Sequence, residues 1–549
     1  MIFESQLPRV QIPNTNLVNF VLSECKRRSS ANHPVFVDSE TQESITVDQL
    51  EHYSEKFARV LQSYGVQRGQ VVAVFANNSI MYPIVAFGIV ALGAICAPIN
   101  PMYTARELAH HLETSKSNVI VVGDGLHAVA QQAVAGHTVL YMDEGHAGLD
   151  NSVYGLLHAP LDLEDKGEAD GHEDYSQMPA YLCFSSGTTG KPKGVVLTHT
   201  NMIANTMQIN RIKQLDIPTM NNQPYETYLG LAPFCHAYGL SYVLHSAVSL
   251  GGRIIVMRKY SFVPFLQTIQ RHRVTFGYLV PPLVCALSKD ERVDKFDLSS
   301  MHTILSGGAA LSASLIEATE ERLTGTRVVQ GYGMSEMSPA ITMLSTCHRK
   351  PGSIGLLLPN CQAKVVDDEG RLLAAGQPGE LCFRGPNVMP RYLDNPGATA
   401  DIFDGDGFLH TGDIGYVDER GFFYITDRKK EIIKFKGFQV APSELESLLA
   451  EHPDIDDAAV MPVYDVNQAT EIPRGYFVLK PGSGDELERA QRIVDWLHER
   501  VAKYKKLRGG FVLVDHIPRS PAGKIIRGSL RTMEHVESRE STGSSASNI

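Results

Sequence analysis

Short apolar runs punctuate the first half of the chain: VVAVF at Val71–Phe75, NVIVV at Asn118–Val122 and RIIVM at Arg253–Met257. Each is too short for a buried helix and lacks the polar alternation of a half-exposed strand. Such runs fit strands covered on both faces. Stretches with helical spacing lie between them, so the pattern predicts an α/β architecture with largely parallel sheets. The most apolar region, Val71 to Pro98, is interrupted by Asn77, Asn78 and Ser79 and then by Pro83 and Gly88. A membrane-spanning helix needs ~20 nearly uninterrupted apolar residues. The reading is therefore a buried strand, a turn and a core helix.

The pattern changes further along. Turn-rich segments around Gln362–Val366 and Gly379–Arg384 predict a small antiparallel sheet or barrel. Charged residues concentrate in YITDRKKEIIKFKG, which suggests a boundary near Thr426–Glu431. Beyond it, APSELESLLAEH predicts a helix with Pro442 in its first turn and Leu445, Leu448 and Leu449 on one face. DELERAQRIVDWLHERV predicts another, with Leu487, Ala490, Val494, Leu497 and Val501 as its apolar stripe and Trp496 as packing material. The expected organisation is a large domain over residues 1–429, a small α+β domain over 430–536 and a disordered tail over 537–549. No fixed-period repeat is visible.

Length and charge narrow the function. A chain of 549 residues exceeds what one hydrophobic core usually serves. A formal charge of −11 disfavours nonspecific contact with nucleic acid or anionic membrane, yet leaves room for a local phosphate site. The eight cysteines are scattered without a CxxC pair, which fits neither a zinc site nor a disulfide framework. The start, MIFESQLPRVQIPN, has no basic segment followed by an apolar one, unlike a secretory signal. The expected location is intracellular and cytoplasmic. The final Ser547-Asn548-Ile549 resembles a peroxisomal address only loosely, with Asn548 in place of the basic residue.

Candidate chemistry starts at YLCFSSGTTGKPKGVVLTH, Tyr181–His199. One apolar strand runs into Ser185, Ser186, Gly187, Thr188, Thr189 and Gly190; Lys191 and Lys193 follow, then a second apolar strand. Glycines let backbone N–H groups converge on an anion, hydroxyls add donors and lysines add charge. These are the parts a polyphosphate needs. The order differs from GxxxxGK[ST], so a mononucleotide kinase or ATPase loop is disfavoured. On the six residues of the Gly/Thr turn alone a polar hairpin turn is the favoured reading; across the ten residues with two lysines, phosphate contact is favoured.

This segment resembles the signature loop of the adenylate-forming superfamily, which includes acyl-CoA ligases, luciferases and peptide-synthetase adenylation domains. Further matches follow in order: PFCHAYGL at Pro233, SGGAAL at Ser306, GYGMSEMSP at Gly331, GELCFRG at Gly379 and HTGDIGYVDERG at His410. DRKKEIIKFKGFQVAPSELE at Asp427 and PRSPAGKIIR at Pro518 complete the series. The resemblance covers nearly the whole chain and looks most like the 4-coumarate–CoA ligase branch. It implies that a carboxylic acid is joined to AMP from ATP with Mg²⁺, and that the acyl group then passes to coenzyme A.

The resemblance also implies roles. Thr188 and Lys193 would contact phosphate. Glu336 would hold Mg²⁺, with Ser335 standing where most relatives have threonine; by its neighbours alone Glu336 is equally a surface or cap residue. Ala309 and Tyr332 would line adenine, and Asp413 with Arg428 would bind ribose. Lys524 would stabilise charge on the α-phosphate and attacking oxygen, although an isolated lysine on a loop is ordinarily just solvated. His236 would stand beside the acyl group, with Tyr238, Gly331, Met337, Pro339 and Ala340 as pocket neighbours. Lys434, Gly437 and Gln439 would serve thioester formation, and Lys430 would be the hinge between the two half-reactions. The small Ala340 and adaptable Met337 suit an aryl or medium acyl group better than acetate. A stand-alone enzyme loading a separate carrier protein and a non-enzymatic ATP-binding scaffold are the competing readings.

Overall fold

The apolar run at Val71 forms a strand, Val71–Phe75, whose last four side chains are wholly buried. It pairs in parallel with Ile95–Ile99 on one side and Val119–Val122 on the other, so both of its faces need cover. Part of that cover is the helix Met81–Ala91, buried on nearly every side. Gly88 explains how it fits: a methyl there would stand 2.8 Å from the carbonyl oxygen of Ser54 and 2.9 Å from the Phe57 ring. The glycine read in the sequence as an interruption is a close contact with the helix Val47–Ser63.

The computed structural model describes residues 1–142, 151–159, 174–185, 193–215, 225–309, 311–428, 431, 433–435, 438–465, 470–501, 503–519 and 523–530. The expected tail and the terminal tripeptide lie outside them. Among the described residues, no helix is long and apolar enough to cross a membrane.

Two large sheets carry the first 428 residues. The seven-stranded one runs from Arg391–Tyr392 through Lys193–Thr198, Pro179–Ser185, Ile95–Ile99, Val71–Phe75 and Val119–Val122 to Thr138–Tyr141. The fourteen-stranded one has a parallel half, in which Thr227–Gly230, Phe276–Leu279, Thr303–Ser306 and Arg327–Gly333 lie side by side. Its other half is antiparallel and contains both turn-rich segments, Gln362–Val366 and Gly379–Arg384, at the predicted positions. Hydrogen bonding is continuous between the halves because Arg327–Gly333 pairs in parallel with one neighbour and antiparallel with Ala340–Met343.

The remaining chain builds a smaller α+β unit. Ile455–Asp465 and Thr470–Leu479 are antiparallel, and Phe511–Leu513 adds a parallel edge. The helices Pro442–Glu451 and Glu486–Arg500 form over the two predicted stretches. Leu445, Leu449, Ala490, Val494 and Leu497 are buried, together with Ile493, which the sequence reading left out of the stripe. Leu448, Leu487, Trp496 and Val501 pack at the margin of that core. This unit touches the large one through Lys289, which donates to the carbonyl of Ala450 at 2.7 Å, and Ser314, which donates to Glu451 at 2.9 Å.

Candidate active site

The site stands where the parallel strands of the larger sheet end, the usual place for ligands in α/β folds. Leu279 and Ser306, the last residues of Phe276–Leu279 and Thr303–Ser306, are register partners. Tyr238 caps these ends, donating its phenol to the carbonyl of Leu305 at 2.8 Å and, more weakly, to Leu279 at 3.4 Å. A methyl on Gly307 would lie 3.3 Å from the Tyr238 ring. A methyl on Gly331 would lie 3.1 Å from the hydroxyl of Tyr242. Two glycines thus let the backbone pass close to two tyrosines, whose rings meet edge to face at 5.1 Å. Tyr242 escaped the sequence reading: in GLSYVL it looks like one more apolar helix residue.

His236 sits on the turn that precedes this tyrosine pair. The N–H of Tyr238 donates to its Nδ1 at 3.4 Å, which requires that nitrogen to be unprotonated. Burial, reinforced by the nearby charge of Lys524, pushes the imidazole down to about 4. A lysine 288 positions away in sequence therefore lies close enough for its charge to act on His236. The loop that brings it rests on the large unit: at Gly523 a methyl would be 3.3 Å from the Cβ of Val280.

Glu336 lies in the short 3-10 turn Ser335–Met337 and is 4% exposed, which excludes the surface reading. Tyr392 donates its hydroxyl to Glu336 Oε1 at 2.9 Å, and the Tyr392 ring lies 5.2 Å from the ammonium of Lys193. Lys193 closes the hairpin that carries the predicted phosphate loop, paired with Ser185 across the strands. Ser185 Oγ is buried and has no hydrogen-bond partner among the described residues. Ser186, Gly187, Thr188, Thr189 and Gly190 lie outside the described residues.

The turn that holds Glu336 is fixed by buried asparagines that sequence reasoning did not single out. Asn387 donates to the carbonyls of Met337 at 2.9 Å and Ala340 at 2.7 Å. Asn205 donates to the Ala340 carbonyl and accepts from its N–H. Gly333 lets the strand turn here: a methyl would overlap the Pro339 carbonyl oxygen at 1.7 Å. Met337, Pro339 and Ala340 are all buried at this turn, and Ser335 is half-buried. A buried asparagine carries no local signature, since its spacing matches that of a loop residue.

Asp413 is on the strand Leu409–Val417, directly opposite Arg428 of Phe422–Arg428. Tyr332 donates its phenol to Asp413 Oδ2 at 2.6 Å, so the proposed adenine and ribose residues are joined. Ala309 is half-buried on the turn after Thr303–Ser306. Lys434 and Gln439 are backbone register partners in the hairpin Ile433–Phe435 with Phe438–Val440. Lys430 and Gly437 lie outside the described residues.

A family model for AMP-binding enzymes matches residues 23–393, and one for the AMP-binding enzyme C-terminal domain matches 444–524. A probable 4-coumarate–CoA ligase of Dictyostelium discoideum is 36% identical over 546 residues, spanning 96% of this chain and 97% of its own. A 4-coumarate–CoA ligase of Nicotiana tabacum is 36% identical over 543 residues, with 97% of each chain covered. Among solved structures, an anthranilate–CoA ligase in complex with anthranoyl-AMP superposes with a TM-score of 0.83 at 25% identity, over 95% of this chain and 98% of its own. The chain belongs to the adenylate-forming family of AMP-binding enzymes, in its 4-coumarate–CoA ligase-like branch.

Proposed function

We propose that the protein is an ATP-dependent carboxylic acid–CoA ligase whose acid is aryl, and that its small unit turns between two half-reactions. In the first, a carboxylate oxygen of the acid attacks the α-phosphorus of ATP. A new P–O bond forms, the α–β bridge breaks and pyrophosphate leaves. In the second, the thiol sulfur of coenzyme A attacks the acyl carbon, AMP leaves with the bridging oxygen and the thiol proton is released.

The carboxylate is already a nucleophile, so the protein's part is positioning and electrostatics. Lys524 neutralises charge growing between the attacking oxygen and the α-phosphate. His236, kept neutral, orients the carboxylate without holding it in an ion pair. The observation that carries the adenylation assignment is the packing of Gly523 against Val280 across the boundary between the two units, which sets Lys524 near enough for its charge to act on His236. Glu336 fits Mg²⁺: a buried carboxylate with one oxygen bound to Tyr392, among phosphate-binding residues, is a suitable hard ligand. Bound there, the ion supplies charge neutralisation on the phosphates.

Asp413, tied to Tyr332, takes the ribose hydroxyls, with Arg428 opposite. Lys434, Gly437 and Gln439 serve the thioester step after a turn about Lys430, because one rigid unit cannot present two faces to one cleft. The aryl preference is supported by the tyrosine pair beside Gly307 and Gly331 and by the names of the relatives, 4-coumarate–CoA ligases and an anthranilate–CoA ligase.

The test is pyrophosphate exchange against a panel of aryl, aliphatic and short acids, repeated with coenzyme A and mass detection of the thioester. Exchange and thioester with aryl acids are expected. Adenylate without thioester would overturn the acceptor, and preference for acetate would overturn the acid class.

A further inference from the structure

Lys524 is carried on a loop, and a lysine on a loop is a poor catalyst unless something fixes its backbone. The neck of this loop is closed by an isolated antiparallel bridge between Arg519 and Ile525, with the N–H of Ile526 bonded to the carbonyl of Pro518 at 2.8 Å. The Arg519 side chain acts across the loop. Its Nε and Nη2 grip both oxygens of Asp457, at 3.0 and 2.7 Å. The remaining nitrogen, Nη1, donates to the carbonyl of Gly523 at 2.9 Å. That carbonyl belongs to the peptide bond that leads into Lys524.

Asp457 is suited to anchor this fork. It follows a register shift in the pairing of Ile455–Asp465 with Thr470–Leu479, where one extra residue re-aims the strand. Its carboxylate also balances the guanidinium, so the clamp adds little net charge beside the catalytic ammonium. On the far side, Gly523 rests on Val280, next to the Leu279 carbonyl that Tyr238 caps.

We infer that Arg519, anchored by Asp457, is a positioning residue that sets the Gly523–Lys524 peptide for adenylate formation and has no part in thioester formation. The inference rests on the two-step reading above. Only a guanidinium can do this: a lysine ammonium has no planar fork to hold a carboxylate with two nitrogens and a carbonyl with a third.

The experiment measures the two half-reactions separately, on the full chain, for Arg519→Ala, Arg519→Lys, Asp457→Asn and the double variant Arg519→Ala/Asp457→Asn. Pyrophosphate exchange reads the first step; thioester release from chemically supplied acyl-adenylate reads the second. A misplaced catalytic group typically costs about 100-fold, so Arg519→Ala should lose roughly that in exchange. It should convert supplied adenylate near the wild-type rate. Arg519→Lys should stay well below wild type in exchange. Asp457→Asn should follow Arg519→Ala, and the double variant should be no worse than Arg519→Ala, as expected of one coupled unit. Equal loss in both half-reactions, or wild-type exchange in Arg519→Lys, would overturn the inference. Lys524→Ala, run alongside, separates it from the reading beneath it: full exchange in that variant would overturn the role of Lys524 itself. If Arg519→Ala does not fold, Asp457→Asn and Arg519→Lys still decide.

Discussion

Tyr392 donates a hydrogen bond to Glu336 at 2.9 Å from a position 56 residues later in the chain. Because Lys193 lies over the same ring, one phenol joins the end of the phosphate hairpin to the buried carboxylate. Removing the hydroxyl leaves the ring and costs the carboxylate a donor. A hydrogen bond to a charged group is worth about 1.5–3 kcal/mol, or roughly 10- to 100-fold. Tyr392→Phe is expected to lower kcat/KM for MgATP within that range in pyrophosphate exchange. Glu336→Gln should cost more, and its activity should respond weakly to added Mg²⁺.

The Tyr332–Asp413 bond at 2.6 Å yields a different split. Tyr332→Phe keeps the aromatic surface and removes the hydrogen bond that orients Asp413 toward the proposed ribose position. The KM for ATP should rise about tenfold, in keeping with one lost bond to a carboxylate, while kcat changes little. Initial rates at saturating and limiting ATP check this. An equal fall in kcat would place Tyr332 in the chemical step.

Gly331 and Tyr242 meet beside the proposed acyl position. Gly331→Ala would bring a methyl to 3.1 Å from the Tyr242 hydroxyl and crowd the proposed acyl position. Aryl acids should lose about tenfold or more in kcat/KM, the range that one methyl commonly commands in a closed pocket. Tyr242→Ala should shift preference toward longer acids. The acid panel, with each kcat/KM compared with wild type, reads both variants.

The pH dependence of stability follows from buried histidines. His236 titrates near 4 in the folded protein, against 6.5 for an ordinary histidine, and His111 and His245 are pushed to about 3 by burial. Between those values and 6.5 the unfolded chain binds protons that the folded chain refuses. Stability contributed by these groups is therefore complete above 6.5 and is lost as pH falls toward 4 for His236 and toward 3 for His111 and His245. His236→Gln should flatten the fall of the melting temperature over that window. Pyrophosphate exchange by this variant should follow the wild-type pH profile in shape from about pH 6 to about pH 8, because His236 does not ionise there.

How much of this was legible in the chain depends on distance along it. The strand Val71–Phe75, the segments Gln362–Val366 and Gly379–Arg384 and both late helices could be read because their signals, apolar runs and spacing, are local. So were the positions of Glu336, Asp413 and Lys524, each set in a motif long enough to recognise. Gly88 was legible as a glycine but not as a contact, since the Phe57 ring it meets belongs to another helix.

The sequence by itself determined the α/β pattern, the family with its reaction, and a set of candidate residues. Tertiary structure decided what holds them. Asn205 reaches Ala340 across 135 positions, Asn387 reaches Met337 across 50 and Arg519 reaches Asp457 across 62. No local spacing encodes such pairs, because a polar side chain buried by distant segments looks in sequence like one facing water. For the asparagines burial makes the pairing matter, because away from solvent an unpaired polar group is costly; Arg519 and Asp457 are only part-buried, and their pairing matters through the loop it holds.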